Sequence, residues 1–149
     1  MSRFGYSIFC DDIRNEVGGK LSFIGCYSSV IIVTQKFPLA LPKFCIHGFV
    51  VTGADEPFRS VSIRCYVPWQ QAPILDEKIE VPHIPAQRAM VAELESNVSA
   101  PRQIVASASL VLSPFELAGP GLIRVRAVVD GAAEEVGLGA LQILAQQGR

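Results

Sequence analysis

Residues 9–29 read FCDDIRNEVGGKLSFIGCYSS. Two runs of β character meet there at Gly18-Gly19, with the adjacent carboxylates Asp11 and Asp12 at one end. A Gly-Gly pair suits a two-residue turn whose central residues both need positive φ. The block therefore reads as a β-hairpin. Pairing across that turn sets Glu16 opposite Leu21, Arg14 opposite Phe23 and Asp12 opposite Gly25. Asp12, Arg14 and Glu16 then share one face, as do Leu21, Phe23 and Gly25. The first strand covers 5–10, with an extension to 17 left open, and the return strand covers 20–27. Cys10 and Cys26 face each other across it.

Working outward, 30–33 resumes as a short buried strand. Residues 37–42, FPLALP, read as a connector, because two prolines deny a central strand its donors. Residues 43–52 form the clearest strand. Phe44, Ile46 and Gly48 lie on one side and Cys45, His47 and Phe49 on the other, so both faces carry bulk and the strand is central. A turn at 53–57 precedes an alternating run at 58–67, with Val61, Ile63, Cys65 and Val67 inward and Arg64 and Tyr66 outward. Residues 74–81 suit a strand bounded by prolines. Residues 86–95 suit a short helix or another strand, and 104–112 a strand rich in small residues. In 114–131, PFELAGPGLIRVRAVVDG, a Gly-Pro-Gly corner leads into an alternating strand at 122–129, and Asp130-Gly131 signals a hairpin. The last strand covers 134–145. Its alternation slips between Leu138 and Leu141, which predicts a bulge near Gly139.

Eight or nine strands at this spacing, without βαβ alternation, predict one all-β domain over 1–149. The expected architecture is an antiparallel β-sandwich, most simply immunoglobulin-like, with a closed barrel as the alternative. A chain of 149 residues is long enough for one core. Half of it is hydrophobic and 18% is charged. Such an apolar composition means either many half-buried strands or apolar surface kept for a partner.

The net charge is −1, and the 13 Lys and Arg are spread along the chain, so no basic stripe for nucleic acid can be assembled. Arg124 and Arg126 stand at alternate positions and read as a solvated sheet face. Apolar runs such as 30–33 fall far short of the ~20 residues that a bilayer needs. The opening MSRFGYSIFCDDI lacks the apolar core of a signal peptide. A cytoplasmic location is expected, with Cys10, Cys26, Cys45 and Cys65 reduced.

Candidate chemistry is sparse. Asp11 and Asp12 could help to hold calcium, which takes roughly six to eight oxygens. Glu16, Asp55, Glu56 and Asp130 would have to converge with them. Arg14 between two carboxylates favours an ion-pair role instead. Cys45 and His47 share a strand face, but no CxxC knuckle marks a zinc site, and buried free Cys commonly acts as a small hydrophobe. His83 lies among prolines in an extended segment. No nucleophile elbow or phosphate loop is present. Trp69, the only tryptophan, could join Tyr66 in an aromatic ligand platform, or plug one end of the sandwich.

The segments FCDDIRNEVGGKLSFIGCYS and FPLALPKFCIHGFV, with PFELAGPGLIRVRAVVDG later, resemble a family of small bacterial proteins without an assigned function. Its members share a Cys-Asp-Asp, Arg, Glu, Gly-Lys, Ile-Gly-x-Tyr pattern. The resemblance covers most of the chain, implies a bacterial cytoplasmic protein, and transfers no site residues. The expected role is a non-catalytic interaction or assembly module, as a homo-oligomer or within a larger complex. No cofactor and no metal are called for. The weak binding candidates are Trp69, Tyr66, Asp11, Asp12 and Arg14. The alternatives are a small-molecule or carbohydrate binder built on Trp69 and Tyr66, and a metal-dependent enzyme centred on Asp11, Asp12, Cys45 and His47.

Overall fold

The computed structural model describes residues 3–93 and 102–146. Over these residues the chain forms an all-β sandwich with one short helix. The first sheet contains β1 (Phe4–Asn15), β2 (Leu21–Cys26), β5 (Phe44–Gly53) and β8 (Gln103–Leu112), in the order β2-β1-β5-β8. The second contains β3 (Val30–Val33), β6 (Val61–Tyr66), β7 (Leu75–Ile79), β10 (Gly121–Val129) and β11 (Val136–Ala145), in the order β3-β11-β10-β6-β7. Among the described residues each sheet ends in two edge strands, so the sandwich is not a closed barrel. A separate two-stranded ribbon of β4 (Leu39–Leu41) and β9 (Phe115–Leu117) packs against the same core.

Period-two alternation builds the core. β6 buries Val61, Ile63 and Cys65 and turns Ser62, Arg64 and Tyr66 outward. β5 contributes Phe44, Ile46 and Val50 to the interior, and β10 and β11 contribute Ile123, Val125, Leu138, Leu141 and Ile143. β5 lies between β1 and β8 in its sheet, as expected from bulk on both of its faces. Gly5 and Gly48 sit where no side chain fits: a Cβ on Gly5 would run into the Phe49 carbonyl of its own sheet and the Leu138 side chain of the other, and one on Gly48 would stand 2.7 Å from Ile63.

Several expectations need correction. The opening hairpin is shifted by one residue: Arg14 pairs with Ser22, Ile13 with Phe23 and Asp12 with Ile24. Glu16 N–H donates to the Lys20 carbonyl at 2.8 Å, so the loop is the three residues Val17-Gly18-Gly19. Gly18 and Gly19 do take positive φ, 83° and 73°. A three-residue loop uses the same glycines as a two-residue turn, and the shorter alternative moves the register. The expected connector at 37–42 contains β4, paired with β9 through Leu39–Leu117 and Leu41–Phe115. Its prolines flank a three-residue strand rather than interrupt one. The described residues hold eleven strands rather than eight or nine. The sandwich is not purely antiparallel, because β3 runs parallel to β11, with Ile31 opposite Ile143. A four-residue apolar run carries no signal of direction.

Other expectations hold. The register between β10 and β11 shifts between Arg124 and Arg126, and Gly139 has φ 104°, which is the bulge read from the slipped alternation. Residues 86–93 are helical within α1 (Ile84–Glu93), while 94 and 95 lie outside the described residues. Asp130 and Gly131 have φ of 53° and 68° and form a turn, but pairing resumes only at Ala127–Val136.

The Asp130 carboxylate closes the structure around that turn. Its Oδ1 accepts the Arg59 and Ser60 N–H groups at 2.7 and 3.1 Å, and its Oδ2 pairs with Arg3 at 2.9 Å. Burial pushes this carboxyl up, but the two N–H donors and the guanidinium outweigh burial and hold it below the usual carboxylate value. Its stabilisation is therefore present above the ordinary carboxylate pKa and is lost as pH falls through the lower folded value. Asp130→Ala is expected to cost about 1–3 kcal/mol at neutral pH. In urea titrations the gap from the native chain should narrow as pH drops below about 4. A gap that does not change with pH would assign the loss to the backbone instead.

Candidate functional site

The outer face of the four-stranded sheet differs in kind from that of the five-stranded sheet. Ladder partners project to the same side. On the outer side, β1 presents Phe4, Tyr6, Ile8 and Cys10 opposite Val51, Phe49, His47 and Cys45 of β5. β8 continues each row with Val105, Ser107, Ser109 and Val111. None of these twelve positions holds Asp, Glu, Lys or Arg. Burial holds the His47 imidazole below its usual pKa, so it is neutral at pH 7. Its Nδ1 shares a hydrogen bond with Ser109 Oγ at 2.8 Å. The ring of Phe23, from β2, stands 5.4 Å from His47 on this face. The Phe4–Tyr6 end is open: Tyr6 stacks on Phe49 at 4.5 Å, and Tyr6 and Val105 are 51% and 55% exposed, while at the opposite end Val111, in the row of Cys10 and Cys45, is 52% exposed. An antiparallel sheet that faces water normally turns polar residues outward.

The five-stranded sheet does so. Its outer face carries Arg64, Tyr66, Arg124, Arg126, Asp76 and Lys78 at paired positions. Tyr66 Oη donates to the Glu135 carboxylate at 2.8 Å, and Arg64 pairs with Asp76 at 3.1 Å and Glu135 at 3.5 Å. Arg124 lies over the Tyr66 ring at 6.0 Å. Tyr66 thus belongs to a surface ion network. Trp69 is half-buried against the core with its ring 6.2 Å from Phe115, in the plugging position. The two aromatics are engaged with different partners rather than forming one free platform.

The carboxylates of the hairpin also separate. Asp11 Oδ1 accepts the Tyr27 hydroxyl at 2.9 Å, and burial together with that bond pushes the tyrosine up to about 12. Asp12 pairs with Lys43 at 2.6 Å, and this bond holds its carboxyl below the usual value. In place of the expected ladder of Asp12, Arg14 and Glu16, Asp12 takes Lys43, just before β5, as its ion-pair partner. Arg14 is exposed near the hairpin tip. Among the described residues no group of three or more His, Cys, Asp or Glu is arranged to hold a metal ion. No helix among them is long and apolar enough to cross a membrane.

A cavity of about 430 Å³ lies beside α1, lined by Phe58, Ile79, Val81, Met90, Val91 and Ile104 among others. Its rim includes Gln103–Ser107, while Ala108–Val111 of β8 line a second cavity together with Leu75, Glu77 and Lys78 of β7. Sequence reading did not single out Phe4, Tyr6, Val105 or Val111 as a surface. The signal was there in two strands, since 44–52 is bulky on both faces and 103–112, QIVASASLVL, has no charge. No protein-family model, curated protein or solved structure matches this chain.

Proposed function

We propose that the chain is a non-catalytic assembly module of a bacterial cytoplasmic complex, built on an immunoglobulin-like sandwich, and that it associates with a second copy of itself along β8. The observation that carries this is the contrast among the four sheet edges. β7 is guarded by Asp76, Glu77 and Lys78, β3 is only four residues long, and β2 is six residues long and bent at Gly25, where φ is 68°. β8 is ten residues long and has no charge, proline or glycine. Proteins normally protect sheet edges by the devices that guard the other three. A two-fold antiparallel pairing of β8 with itself opposes no like charges in any register, and like charges directly opposite are what most disfavour such pairs. It would also join two uncharged outer faces into one wider apolar surface. The immunoglobulin-like part of the proposal is supported by two facing sheets whose chain crosses between them after β2 and after β5.

Light scattering over a concentration series tests this reading. The native chain is expected to reach the mass of a dimer. Val111→Lys, at an exposed position on β8, should hold it at monomer mass with its unfolding free energy in urea changed by no more than about 0.5 kcal/mol. A native chain that stays monomeric into the millimolar range overturns the proposal.

A further inference from the structure

Three cysteines stand in one row across three neighbouring strands: Cys26 on β2 faces Cys10 on β1, and Cys10 faces Cys45 on β5. All are free thiols, Cys26 exposed and the other two buried. Tyr27 N–H donates to the Phe9 carbonyl at 2.8 Å. That bond flanks Cys10 and Cys26 and makes them a non-hydrogen-bonded pair, whose Cα atoms stand about 4.5 Å apart. This lies inside the roughly 4.4–6.8 Å range that disulfides span. A residue in an antiparallel sheet is hydrogen-bonded to one neighbour and not to the other. Cys10 and Cys45 are therefore the hydrogen-bonded pair, with Cα atoms about 5.5 Å apart and side chains further from each other.

We infer that Cys10 and Cys26 are a modification site for small disulfide oxidants of the glutathione class, closing to a reversible cross-strand disulfide. The exposed Cys26 reacts first. Its thiolate attacks one sulfur of oxidised glutathione, forms a mixed disulfide and expels one glutathione thiolate. Cys10, deprotonated, then attacks the Cys26 sulfur, breaks the mixed disulfide and expels the second. Two protein thiols are oxidised, one glutathione disulfide is reduced to two thiols, and the two protons end on the glutathione. Burial, with the neighbouring Cys45 and Cys26, pushes the Cys10 thiol up to about 11. Closure is therefore slow at neutral pH and quickens as pH rises toward that value, because the thiolate is the attacking species. The product ties the edge strand β2 to β1.

The test treats the folded native chain with oxidised glutathione, traps it with acid, and maps linked peptides by mass spectrometry without reduction. The expected product is lighter by two hydrogens, links Cys10 to Cys26, and unfolds about 5–10 °C higher than the reduced chain. Cys45→Ser should give the same link. Cys10→Ser should stop at a glutathione adduct on Cys26. Cys26→Ser, changed at an exposed position, should leave the remaining thiols unmodified. A native chain that ends as a stable adduct on Cys26, links Cys10 to Cys45, or stays unmodified while free cysteine reacts fully overturns the inference. These readouts are independent of the assembly state.

Discussion

Phe44→Ala is expected to destabilise the chain by about 3–5 kcal/mol, the range for emptying a buried aromatic site. Phe44 is 0% exposed and projects inward from β5. Its ring stands 6.2 Å from Phe9, 5.9 Å from Tyr27 and 5.1 Å from Phe115. These partners come from β1, from the segment after β2, and from β9. One side chain therefore joins the opening hairpin, the four-stranded sheet and the end ribbon. Alanine leaves a cavity that these separate elements cannot jointly collapse into. Phe44→Leu keeps much of the volume and should cost less than about 2 kcal/mol. Phe4→Ala, on the open outer face of the same sheet, should cost well under that. Urea titrations of the three variants decide the matter. Equal midpoints for Phe44→Ala and Phe4→Ala would show that the interior is not organised around Phe44.

The second large effect is expected at Gln87. This side chain is 2% exposed and is the one buried residue of α1. Its Nε2 donates to the carbonyls of Phe58 and Pro82 at 2.7 and 2.6 Å, and its Oε1 accepts the Phe58 N–H at 3.0 Å. The helix has ten residues and no continuous apolar face, and a helix so short is marginal alone. Gln87 is thus what docks it. Gln87→Ala leaves the buried Phe58 groups without their partner and should cost about 2–4 kcal/mol. Gln87→Glu keeps the acceptor but turns a carboxylate toward two carbonyl oxygens. It should cost more at pH 7, because burial without a donor raises the carboxyl's folded pKa, and recover as the pH falls through that value and the group protonates. Hydrogen exchange provides the check. Protection over 84–93 should vanish in both variants while β5 and β10 stay protected. Protection that persists in α1 would show that the helix is held by something other than Gln87.

The alternation of β6 and β10, the central place of β5 and the bulge at Gly139 were legible because each is a local property of side-chain period. The hairpin register was not, because two and three-residue loops compete for the same Gly-Gly pair and differ by one residue. β4 and β9 escaped because a three-residue strand between prolines carries almost no periodic signal. Gln87 escaped because a glutamine on a short helix looks like any solvated one. The ion pairing of the hairpin carboxylates was expected through Arg14, but Asp11 takes Tyr27 and Asp12 takes Lys43, 16 and 31 residues away.

By itself the chain's pattern of apolar and polar residues determined that it forms extended strands packed into two sheets, since a period of two leaves each strand one face to bury. Only the tertiary structure decided which strands became neighbours. That placement set the uncharged β8 at an edge, gave one sheet an apolar outer face and the other a charged one, and lined Cys26, Cys10 and Cys45 across three strands. Strand order depends on long-range pairing, and no residue's local preference encodes which distant segment will lie beside it.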